Sequence, residues 1–161
     1  MIQNRNIQLN LLKPSRCKSV VINCLFESYN LACSDVLEFW KSNIGITQTA
    51  LHHATYKDIR AKYKLPADYA ISARVTAWNR RKITKKVKCV PIRLTNKLFR
   101  YDLTPRGNPV MVITSFSRKR IILPIKRDNT FTRFKEIEAE GYIFNSLLLL
   151  KKDGKYILQA V

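Results

Sequence analysis

Acidic side chains are scarce in this sequence. Asp and Glu number 11 against 30 Lys and Arg, so the 161-residue chain carries a formal net charge of +19. A compact body with that charge repels itself, and a polyanionic partner is the simplest reason to keep it. Glycine occupies only 4 positions. Neither a GxGxxG fingerprint nor a P-loop is present, which removes the Gly-rich phosphate cradles of dinucleotide and triphosphate enzymes. A GxSxG nucleophile turn is missing as well. Long apolar runs are absent: the four leucines of "SLLLLK" at 146–151 are as long as any, far short of the roughly 20 residues a membrane helix needs.

The four cysteines, Cys17, Cys24, Cys33 and Cys89, form no CxxC and no Cys/His pairing at zinc spacing, so neither metal nor cofactor is expected. Cys17 and Cys24 are seven apart and share a helical face, where they read as small apolar fillers. Without a signal-peptide pattern, free thiols in a reducing cytoplasm are the expectation. His52 and His53 are adjacent, so on a helix they diverge by about 100° and cannot grip one metal together. Glu136, Glu138 and Glu140 split over two helical faces and read as a solvated surface, not a two-metal carboxylate cluster. Nothing nominates an active site, and the chain is expected not to be an enzyme.

What is present is positive charge in the middle of the chain. Residues 1–46 carry five basic and three acidic groups, and residues 136–161 three and four. Residues 47–88 and 89–135 each carry eleven basic and two acidic groups. That distribution implies a shaped basic surface with a plainer structural end.

Periodicity divides the chain. "RNIQLNLL" alternates as a strand with one wet face. Pro14 stops it, and Ser15 can cap a helix over about 16–42. Val20, Val21, Cys24, Leu25, Leu31, Ala32, Val36, Phe39 and Trp40 fall near its 3.6 period. Thr47 can cap a second helix over about 48–63, with Leu51, Ala54 and Ile59 inward. A third begins at "KLPADYA", with Pro66 in its first turn. There Ala70, Ala73 and Ala77 allow close approach to a helix or a nucleic-acid backbone. After Lys88 the period becomes 2. "CVPIRL", "LFRYDL", "VMVITS", "KRIILPI", "YIFNSLLLL" and "YILQAV" read as strands. "TPRGNP" reads as a turn, "FSRK" as a tight basic hairpin and "KKDGK" as a DG-type turn. Residues 133–140 read as a short helix. The first strand has no partner until the later ones arrive. The expected fold is therefore α+β: a small OB-like, wedge-type β-barrel from residues 1–13 and 87–161, with a three-helix insertion, 14–86, after the first strand.

The strongest functional signal is "WNRRKITKKVK" at 78–88, where six of eleven residues are basic. Arg74, Arg81 and Lys85 form one helical stripe, and Trp78 lies on the same side. Arg80, Lys82, Lys86 and Lys88 complete the run. Cations neutralise phosphates and release counterions, while an aromatic ring can stack on a base. A second set lies in predicted barrel loops: Arg106, then Arg118, Lys119 and Arg120 of "SRKR", then Lys126 and Arg127. Basic loops on a β-barrel rim are a common oligonucleotide-binding arrangement.

These elements also resemble a family. The opening strand and helices, "YKDIRAKYKLPADYAISARVTAWNRRK", "RIILPI" and "LLLLKKDGKYILQAV" are similar to the N-terminal half of OrfB/TnpB insertion-sequence proteins, transposon-related relatives of type V CRISPR effectors. Leu65-Pro66, Tyr69-Ala70, Leu123-Pro124 and Asp153-Gly154-Lys155-Tyr156 stand at corresponding places. The resemblance implies a wedge barrel and a recognition lobe that bind a structured guide-type RNA and duplex DNA next to a target. The junction 74–88 and the rim loops would lie on nucleic-acid backbones, and Ser72 and Asn79 of the third helix would face base edges. The sequence ends at Val161, before the family's RuvC-type catalytic carboxylates and zinc ribbon, so no nuclease activity is expected of it alone. Three other readings compete. One is a stand-alone DNA-binding regulator or mobile-element accessory protein. Another is the non-catalytic half of a split nuclease with a separate RuvC-type partner, leaving an apolar patch on the Leu147–Leu150 strand or the last strand. The third is a basic RNA-binding barrel of ribosomal type.

Overall fold

A computed structural model describes residues 7–85, 87 and 89–161. It begins with a three-residue strand, β1 (Gln8–Asn10), and three helices follow, α1 (Arg16–Ser42), α2 (Gln48–Tyr63) and α3 (Ala67–Arg80). Strands β2 (Ile92–Thr95), β3 (Phe99–Leu103), β4 (Pro109–Thr114) and β5 (Arg120–Pro124) precede a fourth helix, α4 (Asn129–Ala139). The hairpin β6 (Ser146–Lys152) and β7 (Lys155–Ala160) closes the order. Among the described residues no helix is long and apolar enough to cross a membrane.

Local chemistry sets the helix starts. The Ser15 hydroxyl accepts from the Lys18 N–H and that of Thr47 from the Ala50 N–H, so each satisfies an otherwise orphaned donor. Pro66 stands at the N-cap of α3, one position earlier than expected, with extended backbone suited to that place. The α4 helix begins four residues earlier than the pattern implied. The Asp128 carboxylate caps it, accepting from the Thr130 and Phe131 N–H groups.

The chain is mixed α and β, and among the described residues its strands form two antiparallel sheets, not a closed barrel. One has the order β1-β7-β6-β2 and the other β3-β4-β5. The first strand does pair with the last, Leu9 opposite Leu158. The sheets meet on one side through a single bridge, Leu11 to Ile125, flanked by Leu12 N–H to Pro124 C=O and Lys126 N–H to Asn10 C=O. On the other side the turn Thr95–Leu98 links β2 to β3, with the Leu98 N–H on the Thr95 carbonyl. β1 is three residues long and Pro14 follows shortly after, so little extended backbone is available to lengthen this seam.

One apolar cluster joins helices and sheets. Ile22, Leu25, Tyr29, Ala32 and Val36 of α1 contribute to it, as do Ala70, Ala73 and Ala77 of α3 and Ile92, Leu94, Leu149 and Leu158 of the first sheet. The three alanines are buried where α3 packs on α1, so their close approach is to a helix. Several expected inward positions turn outward. Cys17, Cys24, Val20 and Leu31 are exposed, because the buried stripe of α1 is centred on Ile22, Leu25 and Tyr29. Ala54 is exposed and Thr55 is buried in its place, its hydroxyl donating to the Leu51 carbonyl. β6 starts only at Ser146, after Gly141 ends the α4 region with φ +85°. On β6, Leu147 and Leu149 are buried and Leu148 and Leu150 half-buried.

Candidate nucleic-acid interface

The basic junction leaves α3 and doubles back along α1. Lys41 donates to the Lys85 carbonyl, Ser34 to the Val87 carbonyl at 3.1 Å, and Asn30 accepts from the Val90 N–H at 2.7 Å. Positions 30, 34 and 41 are spaced four and seven apart, one stripe of an α-helix. The junction is thus a strap held by its backbone, which leaves the Lys82 and Lys85 side chains in solvent. Ile83, between them, is 84% exposed. Lys86 and Lys88 lie outside the described residues.

Trp78 is half-buried against the core. The Arg81 guanidinium lies 3.8 Å from its ring centroid and donates to the Trp78 carbonyl at 2.7 Å. One ring face is therefore given to a cation, and the pair presents a fixed planar donor group at the end of α3. Arg80 is half-buried and Asn79 exposed. Arg74 is half-buried with its Nε unpartnered, and burial holds its guanidinium below its ordinary value. His52, across from it on α2, also keeps an unpartnered buried Nδ1. Burial and then Arg74 push its pKa down.

Ser72 does not face solvent. It is 2% exposed, its hydroxyl donates to the Arg93 carbonyl at 2.6 Å, and it shares a hydrogen bond with the Tyr29 hydroxyl at 3.0 Å. Tyr29 also meets Thr76 at 2.8 Å, and burial pushes its pKa up to about 12. The expectation that Ser72 faces base edges is corrected: this face of α3 lies on α1 and β2, and the hydroxyl serves the interior.

The loop cations gather in two groups. Arg127 donates to the Gly107 carbonyl at 2.8 Å, which ties the end of β5 to the β3–β4 turn that carries exposed Arg106. Exposed Lys126 borders a groove of about 540 Å³ with Lys13 and Lys155. The β4–β5 connection is a single 3-10 turn, Phe116–Arg118, and Arg118, Lys119 and Arg120 are exposed on it. The Ser115 N–H and hydroxyl both bind the Lys119 carbonyl, at 2.6 and 2.8 Å. Arg118 and Arg120 line a second groove with Lys97 from the β2–β3 turn. Lys13, Lys97 and Lys155 escaped a sequence reading that followed runs of adjacent cations. Each is a lone cation beside a turn or strand end, and that placement was the available signal.

Few of the described cations are ion-paired. The salt bridges among the described residues are Lys62–Asp35, Arg100–Asp102, Arg133–Glu136 and Lys135–Glu138. None uses a cation of the strap or the loop groups. Glu136 and Glu138 are held by cations of their own helix, as suits a solvated face. No group of three or more His, Cys, Asp and Glu among the described residues is placed to hold a metal ion. No protein-family model matches the chain, and no curated protein matches it at a significant level.

Proposed function

We propose that this chain binds nucleic acid, with structured guide-type RNA as the first partner and duplex DNA as the second, and performs no catalysis of its own. The observation that carries this reading is the gathering of cations on the strap and in the two loop groups, none of those described being in a salt bridge among the described residues. Like charges held together in excess of nearby carboxylates favour an external polyanion. The strap's geometry supports the same reading: its backbone is fixed on α1 while Lys82, Lys85 and the Trp78-backed Arg81 project. In this reading the two-sheet body, 1–13 and 87–161, acts as an OB-like wedge unit. The helical insertion, 14–86, acts as the recognition lobe, in keeping with the resemblance to OrfB/TnpB proteins.

The experiment is a salt series of binding to a structured RNA and to duplex DNA of equal length. Log K should fall linearly with log[salt], with RNA bound more tightly. A flat plot would overturn the electrostatic reading. A clear preference for duplex DNA would move the assignment to a DNA-binding regulator. Sequencing the nucleic acid that co-purifies from the native host identifies the partner: one abundant structured RNA is expected.

A further inference from the structure

We propose that the groove between the start of α3, the β2–β3 turn and the start of β5 is a phosphate-binding pocket. This rests on the nucleic-acid reading and names one contact within it. The groove measures about 420 Å³, inside the roughly 300–1,000 Å³ of small-molecule sites. Three cations from two distant parts of the chain line it, Lys97, Arg118 and Arg120, against one carboxylate, Asp68. None of the three cations has a salt bridge or a side-chain hydrogen bond among the described residues. Bringing three like charges to one cavity costs free energy that a bound anion offsets. A tetrahedral phosphate suits them best, because guanidinium groups bind its oxygens through paired N–H donors.

The walls fix the backbone from which the cations project. The Tyr69 hydroxyl donates to the Thr114 carbonyl at 2.5 Å, fastening α3 to the end of β4. The Thr114 N–H donates to the Leu98 carbonyl at 2.9 Å, fixing the turn that carries Lys97 to the same point. Arg118 stands at φ +57° after Ser117 at φ +54°. Successive left-handed residues that are not glycine are uncommon, and the Ser115 clamp on Lys119 holds this turn closed. Three segments therefore converge on one corner: the β2–β3 turn and the start of β5 bring the cations, and α3 brings Asp68.

The test uses the full chain and a triple variant, Lys97→Gln, Arg118→Asn and Arg120→Gln. Asn tolerates the left-handed backbone at 118, and circular dichroism verifies the fold. Inorganic phosphate is titrated while the backbone amides of Leu98 and Thr114 are followed by NMR, and RNA affinity is measured across salt. Expected are amide shifts in the wild type that vanish in the variant. RNA binding should weaken about tenfold near physiological salt, with the log–log slope shallower by about one. No phosphate shift together with RNA affinity retained by the variant would overturn the pocket and leave the proposed function standing. Phosphate shifts in a chain that binds no RNA would keep the pocket and overturn the proposed function; absence of both overturns both. Comparing 5′-phosphorylated with 5′-hydroxyl oligonucleotides identifies the source. A preference for the former assigns a terminal phosphate, and equal binding an internal phosphodiester.

Discussion

Replacing Ser72 by Ala separates an interior role from a ligand-facing one. The Ser72 hydroxyl donates to the Arg93 carbonyl at 2.6 Å and meets the Tyr29 hydroxyl at 3.0 Å. In the Ala variant Tyr29 keeps Thr76 at 2.8 Å, so its hydroxyl stays satisfied. The Arg93 carbonyl does not: it faces α3, away from the β6 ladder, and loses this donor. An unsatisfied buried acceptor costs about 1–3 kcal/mol, so the expected loss is about 2 kcal/mol. For a chain of this size each kcal/mol lowers Tm by about 2–4 °C, which gives a fall of about 4–8 °C. Thermal unfolding by circular dichroism reads the shift, and anisotropy with a structured RNA reads binding well below Tm. Affinity should stay within about twofold, since the hydroxyl never reaches solvent. An unchanged Tm with affinity reduced about tenfold would refute the reasoning and return Ser72 to the interface. A double-mutant cycle with Tyr29→Phe should show coupling of about 0.5–1 kcal/mol, as expected of groups in one network.

Further outcomes follow from other parts of the structure. Replacing Lys82 and Lys85 together by Gln should make the log–log salt slope for duplex DNA shallower by about two, with Tm nearly unchanged, since both are exposed and in no salt bridge among the described residues. An unaltered slope would remove the strap from the interface. Ala73→Leu should destabilise by about 1–3 kcal/mol in urea unfolding, because the residue is fully buried where α3 meets α1. Stability should fall at alkaline pH. Burial raises Tyr29 from 10.0 to about 12 and Cys33 from 9.0 to about 12, and Tyr69 is raised as well. The unfolded chain therefore releases these protons first. The stabilisation is fully present below about pH 9 and is lost as pH rises toward 12, each group contributing up to about 1.4 kcal/mol per unit within its own window. A urea midpoint constant between pH 9 and 11 would contradict this. Asp128→Ala should cost about 1–2 kcal/mol, because its carboxylate caps α4 and accepts from the Asn10 side chain at 2.9 Å.

The order of elements and most of their limits follow from local residues alone. Pro14 with Ser15, Thr47 and the Asp153-Gly154 turn act within a few residues, through fixed φ, caps and turn geometry, so their effect is local and readable. The sequence also places an excess of cations between residues 47 and 135, which is a matter of counting. Which way a side chain faces depends instead on the packing of distant elements. The same helical period allowed Cys17, Cys24 and Leu31 to turn inward; the position of the neighbouring elements buried Ile22, Leu25 and Tyr29 instead. Ser72 looked like a surface polar group until β2 arrived with a carbonyl for it to satisfy. The expected barrel is two sheets that meet beside β1 at one bridge, and β1 is shorter than its alternation implied. Lys97 joins Arg118 and Arg120 across some twenty residues because β4 lies between their turns and anchors both. Charge is additive along a chain, whereas the convergence of charges depends on which distant segments share a wall, and that is a property of the fold.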